Sequence, residues 1–184
     1  MPRYFEFEVS LLEIEPRIWR RFLIKEDSDF YDLHLAIQRA CGWGNYHMFL
    51  FSTKWRKGQE IAGIPSDNPW GPPTPDAGQI PLCLFFRTGR RKKCIYTYDF
   101  GDNWMHEVQM NKIVEDPDVF HRRLVAGERA FPPEDCGGVG GYYRCLETLD
   151  PNTTDEDVLE FREWMGDWDP EAFDLNAMKK TFDG

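Results

Sequence analysis

The sequence predicts an α+β fold in which a mostly antiparallel sheet of about five strands is covered by helices. Two observations carry this prediction. Period-two alternation of apolar and polar residues recurs through the first two thirds of the chain, whereas helical spacing with capping residues gives a helical C-terminal third. Strands that precede helices in this way are typical of α+β proteins. The length of 184 residues fits one domain that spans residues 1–184.

The first two predicted strands form an antiparallel hairpin. Residues 4–14 alternate cleanly, and Glu15-Pro16 forms a turn before residues 17–25 continue as the second strand. One face of the first strand carries the apolar side chains Phe5, Phe7, Val9 and Leu11. This face is therefore predicted to lie on the core.

An amphipathic helix follows the hairpin. Asp29 and Asp32 resemble a capping box, and Gly42 suits the left-handed position that ends a helix. His34 falls on the polar flank of this helix and is predicted to be a surface residue. Residues 46–53 are rich in aromatic side chains and predict a third strand. The apolar stripe of the helix consists of Leu33, Ala36, Ile37 and Ala40.

A long proline-rich loop is predicted at residues 64–81, because neither a helix nor a sheet ladder tolerates its density of proline. A mobile insertion and a lid both fit this composition, and Trp70 is the residue that would tether the loop to the body. Two further strands follow at residues 93–100 and 104–114, joined at Gly101-Asp102-Asn103. In the C-terminal third, Gly137–Gly141 opens one predicted helical segment, Thr154 caps a second helix, and Asp169-Pro170 begins a third.

Composition and charge narrow the functional classes. The formal net charge is −10, which opposes nucleic-acid binding over the whole surface because phosphate neutralisation requires basic residues. No 18-residue apolar run is present and the N-terminus has no signal-like apolar block, so we expect a cytoplasmic protein without a membrane partner. The five cysteines form no C-x-x-C pair and are expected to be reduced.

One local basic cluster remains a candidate for DNA contact. A solvated hairpin tip around Gly89 is the competing interpretation and the favoured one. The cluster consists of Arg87, Arg90, Arg91, Lys92 and Lys93.

The sequence resembles the plasmid pRiA4b ORF-3-like family. Five segments carry the resemblance in the family's order and together cover nearly the whole chain: residues 16–21, 33–47, 98–107, 132–142 and 164–174. The resemblance implies a protein that travels on plasmids and insertion elements. It implies no established activity or catalytic residue, so function must be argued from the residues themselves.

The predicted hairpin contains the best candidates for chemistry, Asp99 and His106. A two-residue turn would place Asp99 opposite His106, as in sites that orient a catalytic base or a metal-bound histidine, whereas a three-residue turn would place Tyr98 there. The competing and favoured interpretation is a core histidine and a turn-capping aspartate. A divalent metal is the candidate cofactor, although a protein without a cofactor is the favoured expectation. The candidate metal ligands are His47, Asp99, His106 and Asp135.

The sequence also contains a candidate aromatic and basic binding face, made of Trp19, Arg20, Trp43 and Trp104. Because no catalytic constellation is complete, the favoured function is a non-enzymatic module that holds a protein partner or a small ligand. The alternative is a metal-assisted hydrolase, with phosphodiesters as the candidate substrates.

Overall fold

Seven strands form one antiparallel sheet in the computed structural model, which describes residues 1–54, 58–66, 72–87 and 92–184. The strands are β1 (Arg3–Leu11), β2 (Trp19–Lys25), β3 (Phe49–Ser52), β4 (Glu60–Gly63), β5 (Lys93–Tyr98), β6 (Trp104–Glu115) and β7 (Arg122–Glu128). Their order across the sheet is β4-β3-β5-β6-β1-β2-β7, and every neighbouring pair is antiparallel.

Strand β1 shows how the sequence pattern builds the sheet. It pairs with β2 on one side and β6 on the other, so the predicted hairpin is confirmed. Its four alternating apolar residues are buried, and the ring of Phe7 lies 4.9 Å from that of Phe86. On the opposite face the Glu8 carboxylate forms ion pairs with the guanidinium groups of Arg17 and Arg21, each with a nitrogen–oxygen distance of 2.6 Å. The period-two pattern therefore separates a helix-covered face from a charged face.

The described residues contain five helices, and these are not mainly C-terminal as the sequence predicted. They are α1 (Phe30–Cys41), α2 (Leu82–Phe86), α3 (Gly138–Glu147), α4 (Glu156–Met165) and α5 (Leu175–Phe182). Helix α1 has the predicted capping box and ends at Gly42 in the left-handed conformation. No helix in the described ranges is both long and apolar enough to cross a lipid bilayer.

The prediction of about five strands was too low, because β4 and β7 lack a recognisable pattern. Strand β4 has four residues, two of them Ala and Gly, and its neighbour in the sheet is β3. Strand β7 is an edge strand in which Leu124 alone is buried, so period-two alternation is absent. Short strands and charged edge strands leave little hydrophobic signal in a sequence.

The proline-rich stretch at residues 64–81 contains more structure than a simple loop. A 3₁₀ turn forms at Ala77–Gln79, Asp76 bridges to Gly63, and Pro81 bridges to Asp29. Helix α2 then starts directly behind Pro81. The predicted tether Trp70 lies outside the described residues.

Two predicted helix starts in the C-terminal third were wrong. Helix α4 is capped by Asp155, one residue after the predicted Thr154. The Asp155 carboxylate accepts hydrogen bonds from the backbone N–H groups of Asp157 and Val158. The last helix begins behind Asp174 and not at Asp169-Pro170, where the chain makes only a turn. In both cases an aspartate cap close to the predicted one formed the hydrogen bonds.

The hairpin register differs from both predicted alternatives. Tyr98 lies opposite Trp104, which leaves a five-residue loop at residues 99–103. Tyr96 consequently faces His106 across the strands, and Asp99 is in the loop. The hypothesis of an Asp99–His106 pair is therefore wrong. Asp99 and Asn103 both have positive φ, and this closes the longer loop.

Candidate metal centre

Three predicted metal-ligand residues come together at one end of the sheet. His47 Nε2 lies 2.7 Å from Asp135 Oδ1 and 3.7 Å from Asp99 Oδ2. One ligand atom from each side chain lies within 4.8 Å of the other two. We call these three residues the histidine–aspartate site. One imidazole with two carboxylates is a donor set that suits several divalent transition metals.

The loop that contains His47, residues 42–48 between α1 and β3, is held in place by a tyrosine of strand β5. We call it the His47 loop. The Tyr98 hydroxyl accepts hydrogen bonds from the backbone N–H groups of Tyr46 and His47, at 3.0 and 3.3 Å. Trp43 stacks on the Tyr98 ring, with the ring centroids 5.3 Å apart. The loop between α1 and β3 is thus fastened to the end of β5, where Asp99 follows.

Glu134 joins the Asp135 segment to the same tyrosine. Tyr98 donates its hydroxyl proton to Glu134 Oε1 at 2.5 Å, and Gly44 N–H donates to Glu134 Oε2 at 2.5 Å. Burial and this hydrogen bond both raise the pKa of Tyr98, so the phenol stays protonated and continues to donate. Because both carboxylate oxygens of Glu134 are engaged, this residue positions Asp135 and is not a free ligand.

Asp99 and Asp102 fasten the hairpin loop. Asp99 Oδ1 accepts from Gly101 N–H, which leaves Oδ2 directed towards His47. Asp102 Oδ2 accepts from Gly137 N–H and joins this loop to the start of α3. Asp99 and Asp135 adopt positive φ angles of 54° and 64°. Non-glycine residues are held in this region at an energetic cost, and such residues concentrate at functional sites.

The surroundings favour a positive charge at His47. Partial burial opposes the charge, but the hydrogen bond to Asp135 and the negative charges of Asp99, Asp135 and Glu134 outweigh it and raise the pKa of His47. The same carboxylates would attract a metal cation in place of the proton. The His47 side chain is 32% exposed and that of Asp135 is 56% exposed, so both can be reached from solvent.

His106, predicted as a candidate base and ligand, is separate from this site. It is fully buried, its Nε2 lies 4.0 Å from Cys41 Sγ, and its Nδ1 has no hydrogen-bond partner among the described residues. Burial lowers the pKa of His106 to about 4, so the imidazole is neutral at pH 7. It is a core residue, as the competing interpretation had it.

The predicted aromatic and basic binding face does not exist as a surface. Trp43, Trp104 and Arg20 are buried. The Arg20 guanidinium lies between the rings of Phe131 and Phe173, at 4.9 and 4.6 Å from their centroids. Trp19 alone of the four is partly exposed, and its indole N–H donates to Glu128. Trp43 packs against Trp104 and stacks on Tyr98, so it lies beneath the site, and none of the three buried side chains presents a face to a ligand.

Two members of the predicted basic cluster have acidic partners. Arg87 lies 3.2 Å from Glu26, and Lys93 lies 2.9 Å from Glu107. Arg90 and Arg91 lie outside the described residues. Local DNA contact by this cluster stays a prediction.

Sequence reasoning missed a buried network behind the His47 loop. His34 was expected at the surface, but it is buried and stacks on Phe49 at 3.7 Å between ring centroids. Its Nδ1 lies 2.8 Å from the Tyr96 hydroxyl and its Nε2 lies 2.8 Å from Asn45 Oδ1. Asn45 stands two residues before His47, so this network fixes the approach of the loop. Asn45 has a positive φ of 60°, which asparagine tolerates, so the residue type at position 45 was the signal that the sequence offered.

The comparisons with known proteins agree with one another. The family model described as plasmid pRiA4b ORF-3-like protein matches residues 3–177. The uncharacterized protein y4hQ of Sinorhizobium fredii (strain NBRC 101917 / NGR234) is 31% identical over 180 residues, which cover 96% of this chain and 89% of the relative. A crystal structure of MM3350, a protein of unknown function from Methanosarcina mazei Go1, has a TM-score of 0.83 and 35% identity, with 96% of this chain and 98% of that chain covered. This chain belongs to the plasmid pRiA4b ORF-3-like family.

Proposed function

We propose that this protein is a non-enzymatic binding module that holds a divalent cation at the histidine–aspartate site. The observation that carries the proposal is the convergence of His47, Asp99 and Asp135 within 4.8 Å at a solvent-accessible position. Hydrogen bonds from three separate loops hold the site in place, so the ligands are arranged before a cation arrives.

Binding is favoured over catalysis because the site lacks a free base. His106 is buried in the core, and both oxygens of Glu134 accept hydrogen bonds. A metal-bound water would have to be deprotonated without help from either residue. A bound cation with open coordination positions can nevertheless hold a carboxylate or phosphate group of a ligand.

Zinc titration of chelator-treated, tag-free protein tests the proposal by calorimetry. We expect about one Zn²⁺ per chain, and His47→Ala and Asp135→Asn should each weaken binding about tenfold or more. His121→Ala is the matched control, because it removes an exposed imidazole outside the site. Affinity should fall as the pH is lowered through the raised pKa of His47, since only the neutral imidazole binds a metal.

The proposal would be refuted if the parent and the His47→Ala variant showed the same weak zinc binding. His47 and Asp135 would then form a surface ion pair without metal affinity. Equal binding by the parent and Asp135→Asn would also remove Asp135 from the ligand set.

A metal-assisted hydrolase is the second candidate function. The observation in its favour is that three protein ligands leave coordination positions for water and substrate, as catalytic metal sites do. Bis(p-nitrophenyl) phosphate with Zn²⁺ or Mn²⁺ is the test. Metal-dependent release of p-nitrophenolate that disappears in His47→Ala would place hydrolysis first, and no release above the buffer rate would eliminate phosphodiester cleavage of this substrate.

A further inference from the structure

A groove beside the histidine–aspartate site has a composition of its own. It lies against helices α3 and α4 and has a volume of about 440 Å³, which is within the usual range for ligand pockets. We call it the α3–α4 groove, and its lining residues are Asp135, Arg144, Asp157, Glu160, Phe161 and Trp164.

Helix α4 contributes one continuous face to this groove. Asp157, Glu160, Phe161 and Trp164 follow the spacing i, i+3, i+4 and i+7, which places them on one side of a helix. The Phe161 and Trp164 rings are stacked with their centroids 5.2 Å apart, and Trp164 is 51% exposed. The face therefore presents an aromatic platform with two carboxylates beside it.

The charges of the groove select a cation. Three of its lining residues are acidic and one is basic, and the guanidinium of Arg144 is already placed over the Phe161 ring at 4.6 Å. The side-chain carboxylates of Asp157 and Glu160 have no ion-pair or hydrogen-bond partner among the described residues. From residue 150 to the end, the sequence has eleven acidic residues and three Lys or Arg. An anionic ligand would be repelled here.

We infer that the α3–α4 groove binds a basic segment of a partner protein, with an Arg or Lys side chain against Trp164. Guanidinium and ammonium groups bind aromatic faces, and the free carboxylates supply the charge complement. The groove is open on one side, which suits an extended chain better than an enclosed small molecule. This site is additional to the proposed cation site and shares only Asp135 with it.

An eight-residue fluorescein-labelled peptide of alternating Arg and Gly is the probe, and fluorescence anisotropy is the measurement. EDTA is present throughout, so the result does not depend on whether the histidine–aspartate site binds a metal. We expect binding that weakens with salt, a loss of about tenfold in Asp157→Asn/Glu160→Gln, and a loss of about fivefold in Trp164→Ala.

The matched control separates a site from general attraction to an acidic protein. Glu156→Gln/Glu163→Gln removes the same two charges from exposed positions on the same helix that do not line the groove. Its affinity should remain within about twofold of the parent. Circular dichroism and thermal unfolding check that all variants are folded.

Three outcomes would overturn the inference. Equal losses in the two double variants would show general electrostatic attraction only. An affinity in Trp164→Ala equal to that of the parent would remove the aromatic platform. A dimer of the free protein in sedimentation velocity, dissociated by Asp157→Asn/Glu160→Gln, would assign the groove to a second copy of this chain.

Discussion

Replacing Gly141 by Ala is expected to lower the free energy of unfolding by about 3 kcal/mol, which is the upper part of the usual range for overpacking. A Cβ atom at this position would lie 1.8 Å from the carbonyl oxygen of Cys136. The obstructing atom belongs to the backbone, so a side-chain rotation cannot relieve the clash. Urea unfolding measures the change.

Gly140→Ala is the control for this prediction. It lies next to Gly141 in helix α3, and a Cβ there would meet no atom within 4 Å. This substitution should stabilise the protein by about 0.5–1 kcal/mol through helix propensity. Similar effects of the two substitutions would contradict the close approach of α3 to Cys136. Since Asp135 precedes Cys136, Gly141→Ala should also weaken zinc binding if the site is as proposed.

Acidification is expected to destabilise the protein through two buried histidines. Burial lowers the pKa values of His34 and His106 to about 4 each, below the ordinary value near 6.5. Between these values the unfolded chain binds protons that the folded chain does not. The free energy of unfolding is therefore not reduced by these histidines above pH 6.5, and it decreases as the pH falls towards 4.

Urea unfolding at pH 7 and pH 5 measures this effect. Each histidine should contribute a loss of about 2 kcal/mol between the two conditions. Replacing His34 by Gln or His106 by Leu should reduce the difference between the two pH values, whereas His121→Ala should leave it unchanged. If the free energy of unfolding of the parent is the same at pH 7 and pH 5, the folded protein binds protons at these imidazoles as readily as the unfolded chain does, and the prediction is wrong.

The sequence predicted the fold best where one face of an element is buried. Strand β1 has clear period-two alternation, and helix α1 has a 3.6-residue apolar stripe with a cap at each end. The structure confirms both elements. Strands β4 and β7 were not predicted, because β4 is very short and β7 buries a single side chain. Both are edge strands of the sheet, where the alternation of apolar and polar residues is too weak to identify a strand.

The candidate site was predicted in part, because residue type was informative and hairpin register was not. His47, Asp99 and Asp135 were among the four named ligands, and the structure brings these three together. His106 was included through an assumed register that the five-residue loop excludes. Loop length at the Asp-Phe-Gly-Asp-Asn sequence of residues 99–103 depends on which residues adopt positive φ, and several residues there tolerate it. The supporting roles of Tyr98 and Glu134 come from contacts distant in sequence.

A zinc anomalous difference map from a crystal grown with ZnCl₂ tests the proposed cation site most directly. The expected result is a peak about 2.0–2.2 Å from His47 Nε2 and from a carboxylate oxygen of both Asp99 and Asp135. A map without a peak at these residues, with His47 Nε2 still hydrogen-bonded to Asp135, would contradict the proposal and leave a surface ion pair in its place.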